Sequence, residues 1–223
     1  MVTIYHRARP NRPKPRFYNI TLILIAINVL FFLAVIALQY IYGDVILQNI
    51  AVQPASILRG EKLWTIVTSM FMHGGLAHLF VNMLSLLFLG SFLERLIGSK
   101  RFLFIYLLSG IMASIAFVFL ALLFGQDLNV SAVGASGAIF GIGGVLAVLT
   151  PKLPVYILFI PIAMPLWLGI VLMLVLMWIV SVAVGLPIAN TGHLGGFLAG
   201  LAYGFYLRFK YRRKIALLDK VFR

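Results

Sequence analysis

The chain has 223 residues, 63% of them hydrophobic and only 10% charged, against about 25% charged in an ordinary soluble domain. That composition excludes a water-soluble globule and describes a membrane protein, at a length that suits one bundle rather than two domains. The net charge of +13 sits on residues that hug the ends of apolar segments, so it reads as a topology signal and argues against nucleic acid as a partner.

Arg7, Arg9, Arg12, Lys14 and Arg16 form a basic cytoplasmic tail expected over residues 1–19. The apolar run 20–41 that follows is long for a cleaved signal peptide, and no small-residue cleavage site follows it, so it reads as a retained signal anchor. It is the first of six apolar segments, with limits near 20–41, 76–93, 102–124, 133–150, 165–184 and 192–208. Each has roughly 17–23 residues, the length that crosses a hydrocarbon core. They are apolar on most faces and lack the alternation of a membrane barrel. The predicted fold class is therefore all-α, a polytopic six-helix bundle over 20–208, with a basic cytoplasmic tail over 209–223.

The long loop 42–75 mixes Leu58, Leu63, Trp64, Ile66, Val67, Met70 and Phe71 with few charges, and is expected to lie partly in the membrane interface with Trp64 as an anchor. The stretch 155–165 makes the fifth region too long for one upright span. Pro161 and Pro165 break or kink it, which puts the lead-in at the inner interface. Of the eighteen Lys and Arg residues, only Arg59 and Lys62 fall on the opposite side from the termini. By the positive-inside rule both termini are cytoplasmic, which agrees with an even number of spans. The two basic tails are expected to touch anionic lipid headgroups. The absence of cysteine excludes disulfides, thiol catalysis and thiolate metal sites. The simple basic tails favour a prokaryotic plasma membrane.

Against this apolar background four polar side chains stand out: His78, Asn82, Ser136 and His193. Groups of this kind cost several kcal/mol each to bury without partners. With the amino end inside, the second, fourth and sixth segments all begin at the outer face, and each of the four residues lies near such a beginning. His78 and Asn82 are four apart and share a helix face. Ser136 sits in Gly134-Ala135-Ser136-Gly137-Ala138 at a helix start, where free N–H groups and the helix dipole favour a developing oxyanion. Gly192, Gly196, Gly200 and Gly204 form a four-residue stripe in the sixth segment, and Gly137, Gly141 and Gly144 a similar one in the fourth. Such stripes let two backbones approach closely, bringing Ser136 to His193. A serine beside a histidine points to nucleophilic catalysis.

Each feature has a plainer reading. Glycine stripes mark ordinary helix packing, a membrane serine commonly bonds back to its own helix, and His78 with Asn82 could form a structural interhelical bond. A metal site on His73, His78 and His193 lacks a suitably placed carboxylate or thiolate, so neither metal nor cofactor is expected. The serine motif is not the elbow of soluble hydrolases, because Ala138 stands at its last position and no strand precedes it.

The combination resembles the rhomboid family of intramembrane serine proteases. Gly134-Ala-Ser136-Gly137-Ala-Ile-Phe140-Gly141 is similar to its serine motif, His73-Gly-Gly-Leu-Ala-His78-Leu-Phe-Val-Asn82 to its second-span motif, and Gly192-His193-Leu-Gly-Gly196 with Gly200 to its histidine motif. Glu94-Arg95 fits as well. The resemblance implies a Ser136–His193 dyad without a third acidic member, His78 and Asn82 stabilising the oxyanion, and His73 supporting them. It implies single-span or other transmembrane proteins as substrates, admitted by movement of the fifth span and the loop 185–191, where Pro187 sets a turn. Trp64-Thr65 stands where many members have Trp-Arg, and Phe140 where a tyrosine often packs beside the histidine. The rival readings are a catalytically inactive rhomboid-like protein that binds or escorts membrane proteins, a transporter or channel, and a metal-binding membrane protein. The transporter reading fits poorly, because the polar groups stay at one depth instead of lining a path.

Overall fold

The computed structural model of the protein describes residues 19–157, 160–185 and 188–221. The basic segment 1–18 and Pro187 lie outside them. The chain runs α1 (Ile20–Tyr42), three short helices α2 (Val45–Gln48), α3 (Pro54–Leu58) and α4 (Thr65–Thr68), then α5 (Leu76–Ser85). A π-helical turn, Leu86–Gly90, joins α5 to α6 (Ser91–Ile97), so the second segment is one continuous rod. Next come α7 (Ser99–Phe124), α8 (Ser136–Leu149), strands β1 (Pro154–Ile157) and β2 (Ile160–Pro165), α9 (Leu166–Val184), α10 (Asn190–Lys210) and α11 (Arg212–Val221).

The helical class of the chain is as expected, and each of the six apolar segments becomes helix. Four helices are long and apolar enough to cross a membrane: Ile20–Tyr42, Leu76–Ile97, Ser99–Phe124 and Leu166–Val184. The two that carry Ser136 and His193 are different. Helix α8 has 14 residues, about 21 Å at 1.5 Å per residue, against a hydrocarbon core of about 30 Å. It can be short because it is central: its Gly137–Gly144 stretch is buried except for Phe140, and Ile142, Val145 and Leu146 are wholly enclosed. Irregular backbone at membrane depth is tolerated where protein covers it. Helix α10 is long enough, but its glycines and His193 make it less apolar than its neighbours.

The lead-in to the fifth segment is broken, one of the two outcomes read from its prolines, and what replaces helix is strand. Residues Pro154–Ile157 and Ile160–Pro165 form an antiparallel hairpin with Pro154 opposite Pro165 and Ile157 opposite Ile160. The prolines forbid helix, as read from the sequence, but Val155, Tyr156, Ile157, Ile160 and Ile162 are β-formers, and a two-stranded ribbon tolerates prolines at its edges. At the carboxyl end α10 continues to Lys210, and the region read as a basic tail carries a separate helix, Arg212–Val221.

One carboxylate ties the amino end of α1 to the second rod. Glu94, 8% exposed, accepts the N–H of Ile20 at 2.9 Å and the hydroxyl of Ser99 at 2.6 Å on one oxygen. Its other oxygen accepts the N–H and hydroxyl of Thr21 at 2.9 and 2.6 Å. The N–H groups at a helix start have no partner within the helix, and a negative charge there is favourable. The π turn and Gly98, whose φ of +85° lets α6 reverse directly into α7, aim this side chain at its targets.

Candidate active site

Helix α8 is clamped between α7 and α10, and the sequence shows why. A Cβ placed on Gly196 would fall on the carbonyl oxygen of Gly137, one on Gly200 on that of Gly141, and one on Gly144 on that of Phe197. The expected glycine stripes therefore face each other with backbone on backbone. On its other side α8 uses Gly137 and Gly141 against Ala113 and Ser109 of α7. The two helices run parallel, so their first turns meet at one end.

At that end Ser136 opens α8 and His193 lies in the first turn of α10. Ser136 Oγ stands 2.7 Å from His193 Nε2. His193 is 7% exposed, and its ring packs against Phe140, one turn beyond the serine, with centroids 4.9 Å apart and planes 34° apart. That contact needs no phenolic hydroxyl, so Phe140 serves as an orienting wall. The first N–H groups of α8, the helix that Ser136 opens, have no intrahelical acceptor.

His78, on α5, closes the site from a third helix. The N–H of Gly74 donates to its Nδ1 at 3.2 Å. A ring whose Nδ1 accepts carries its proton on Nε2. That nitrogen lies against Gly134: a Cβ there would stand 3.0 Å from Nε2 and 3.4 Å from Ser136 Oγ. Gly134 has φ +133°, so both its backbone conformation and the imidazole beside it require glycine.

The other two expected residues behave differently. Asn82 is buried at 5% exposure, but its amide donates to the carbonyl of His78 in its own helix at 2.8 Å, leaving one amide hydrogen for another acceptor. His73 is wholly buried and meets His78 edge-on, with centroids 5.2 Å apart at 71°. Neither of its ring nitrogens has a side-chain hydrogen-bond partner among the described residues, so its contact with His78 is one of packing.

Sequence reading missed the strap that fixes the approach to Ser136. Val52 and Ala132 exchange backbone bonds at 3.0 and 2.8 Å, the N–H of Ala55 donates to Leu128 O at 2.8 Å, and that of Gly134 donates to Ser69 O at 2.9 Å. The loop 42–75 is thus the frame of the serine loop. Within it Trp64 Nε1 donates to Asn49 O at 2.9 Å and Thr65, 1% exposed, donates to Lys62 O at 2.8 Å. Thr65 seals a turn locally where an arginine would reach outward. At the loop's exposed tip, Glu61 raises the pKa of the Arg59 guanidinium through their hydrogen bond. Asn190, one turn before His193, was also missed. Its Oδ1 and His193 Nδ1 are both buried without a hydrogen-bond partner among the described residues, and the only sequence signal was a polar residue three positions away on the same helix.

Comparison with known proteins identifies the family. The family model of the rhomboid domain matches residues 60–210. RHOMBOID-like protein 4 of Arabidopsis thaliana is 36% identical over 156 residues, covering 68% of this chain and 36% of the relative. Rhomboid protease GluP of Bacillus subtilis is 34% identical over 150 residues, covering 65% of this chain and 26% of the relative. Inactive RHOMBOID-like protein 8 of Arabidopsis thaliana is 37% identical over 102 residues, covering 45% of this chain and 27% of the relative. The chain spans about a third of the length of the first of these relatives. It is an integral membrane protein, and it belongs to the rhomboid family.

Proposed function

We propose that this chain is an intramembrane serine endopeptidase that hydrolyses peptide bonds in or near transmembrane segments of other membrane proteins. The observation that carries the reading is the 2.7 Å contact between Ser136 Oγ and His193 Nε2. Ser136 attacks the scissile carbonyl while His193 takes its proton and later gives it to the leaving amine. The oxyanion is held by the Ser136 N–H and the Nε2–H of His78, with Asn82 swinging its free amide hydrogen inward. Water reaching the wetted end of the bundle then releases the acyl group. A helical substrate hides its peptide bonds, so it must unwind near the cut, and small or helix-breaking residues are expected there.

The domain runs over 20–208 and spans the membrane six times, between basic tails at 1–19 and 209–223. Both termini face the cytoplasm of a prokaryotic plasma membrane, a reading supported by the basic residues that flank the apolar segments. Substrate enters past α9, of which only Leu166, Gly169 and Ile170, all at its start, are buried. A crosslink between the far half of α9 and α5 is expected to block cleavage; full activity in the crosslinked protein would sink the gating step.

The peptidase reading is tested by reconstituting the protein in liposomes with a single-span reporter and treating a parallel sample with a serine-directed phosphonate. Cleavage together with phosphonate attached to Ser136 is the expected result. An intact reporter together with an unlabelled Ser136 would leave the inactive reading, in which the protein binds or escorts membrane proteins; Inactive RHOMBOID-like protein 8 shows only that the similar proteins include one named inactive.

A further inference from the structure

The end of the bundle opposite Ser136 carries cations that the peptidase chemistry does not use. Because α8 and α10 run parallel from the site, Leu149, Leu207 and the start of α11 lie together at the far end. There a cavity of about 130 Å³ opens between α6, α7, α8, α10 and α11. Leu96, Ile97 and Leu207 give it an apolar wall, and Arg101, Tyr211 and Lys214 give it a polar rim.

The rim is built. Arg101 donates to the carbonyl of Ile97 at 3.1 Å and to the hydroxyl of Tyr211 at 2.8 Å, and its guanidinium carbon lies 5.2 Å from the Tyr211 ring centroid. Two of its donors are thus spent on holding the head in place, and the others remain for a ligand. Lys214 lies one turn into α11, with its N–H donating to Tyr211 O at 2.9 Å. Neither cation pairs with a carboxylate among the described residues. Glu94, near the same end, is engaged by Ile20, Thr21 and Ser99.

The surroundings say which anion belongs there. Helix α11 sends Ile215, 5% exposed, into the bundle, while Leu217 is 64% exposed beside Arg212, Arg213 and Lys214. Phe209, at the end of α10, is 79% exposed. Cations and large apolar side chains displayed together describe a helix lying in the headgroup layer, with its apolar residues reaching toward acyl chains. A free anion would use the cations only. A phospholipid uses the apolar wall as well.

We propose that this cavity binds the phosphate of an anionic phospholipid from the leaflet at the basic end of the bundle, with Arg101 and Lys214 as its charge partners. The site goes beyond a diffuse attraction of basic tails to the surface, because it specifies two residues and a pocket. A lipid held there bridges α7 to α11 and braces the far ends of the helices that carry the dyad.

The test is native mass spectrometry of the full chain in detergent with phosphatidylglycerol or phosphatidylcholine added. Preferential retention of phosphatidylglycerol is expected. Lys214→Gln, whose side chain makes no hydrogen bond among the described residues, is expected to weaken retention about fivefold, and Arg101→Gln with Lys214→Gln further. Lys100→Gln with Lys152→Gln removes two exposed charges from the same end outside the cavity, and is expected to leave most of the retention. Equal retention of both lipids, no effect of Lys214→Gln, or an equal loss in the Lys100/Lys152 control would overturn the proposal. So would displacement of the lipid by excess inorganic phosphate, which would identify a free-anion site. Peptidase activity enters none of these readouts, so the outcome is independent of the catalytic reading.

Discussion

Replacing Ser136 by alanine, or His193 by alanine, is expected to lower cleavage of a transmembrane reporter by about 10⁴-fold or more, and the double variant is expected to be no worse than the poorer single one. The argument is that the hydroxyl and the imidazole act as one unit. A serine hydroxyl is a poor nucleophile until a base takes its proton, and the Nε2 of His193 at 2.7 Å is the base within reach. An imidazole without the hydroxyl beside it has no group to activate in its place. Once either is gone, removing the other has little left to damage. Residual cleavage reports what the oxyanion donors and substrate positioning supply alone. The measurement is initial-rate kinetics in liposomes for the parent, both singles and the double. Losses that multiply in the double variant would mean that the two groups act independently, and the dyad assignment would fail.

The meeting of Ser136 and His193 was legible because a polar side chain in a membrane helix requires a reason, and a shared depth could be read from position alone. Both occur at the start of a segment that begins on the same side. The glycine stripes were legible for a related reason: glycine in a helix interior is unfavourable unless it admits another backbone. Other features depended on contacts that no local pattern encodes. The bond of Val52 to Ala132 joins loops eighty residues apart, and neither residue is distinctive. Asn82 was read at the oxyanion; its back-bond to His78 O, which takes one amide hydrogen and leaves the other, is a detail that no local pattern encodes. The prolines of 154–165 said where helix stops, but what replaces helix was decided by pairing across the hairpin. The shortness of α8 was hidden as well, because Ala132, Val133 and Ala135 extend the apolar run ahead of it, and only burial in the bundle shows how so short a helix is accommodated.

Substituting alanine at Gly196 or Gly200 is expected to have the second-largest effect, and to damage stability and catalysis together. At either position the added methyl would overlap the carbonyl oxygen of Gly137 or Gly141, which is backbone and cannot move aside as a flexible side chain does. The helices must separate, and overpacking of this kind costs about 1–3 kcal/mol. Separation also pulls His193 from Ser136, because Gly196 lies less than one turn from the imidazole and Gly137 adjoins the nucleophile. Gly192→Ala provides the comparison: its methyl meets Ala113 O at 3.3 Å and Phe117 Cβ at 3.6 Å, contacts that a small adjustment relieves. The expected order of thermal stability in detergent is therefore parent, then Gly192→Ala, then Gly196→Ala and Gly200→Ala together. Phosphonate labelling of Ser136 separates geometry from unfolding when it is measured well below each variant's transition. Gly200→Ala lies two turns from His193, so it is expected to retain more labelling than Gly196→Ala at equal stability. Labelling and stability as high as the parent in both variants would mean that α8 and α10 do not rely on backbone contact, and that the glycine stripes do not hold the serine and histidine together.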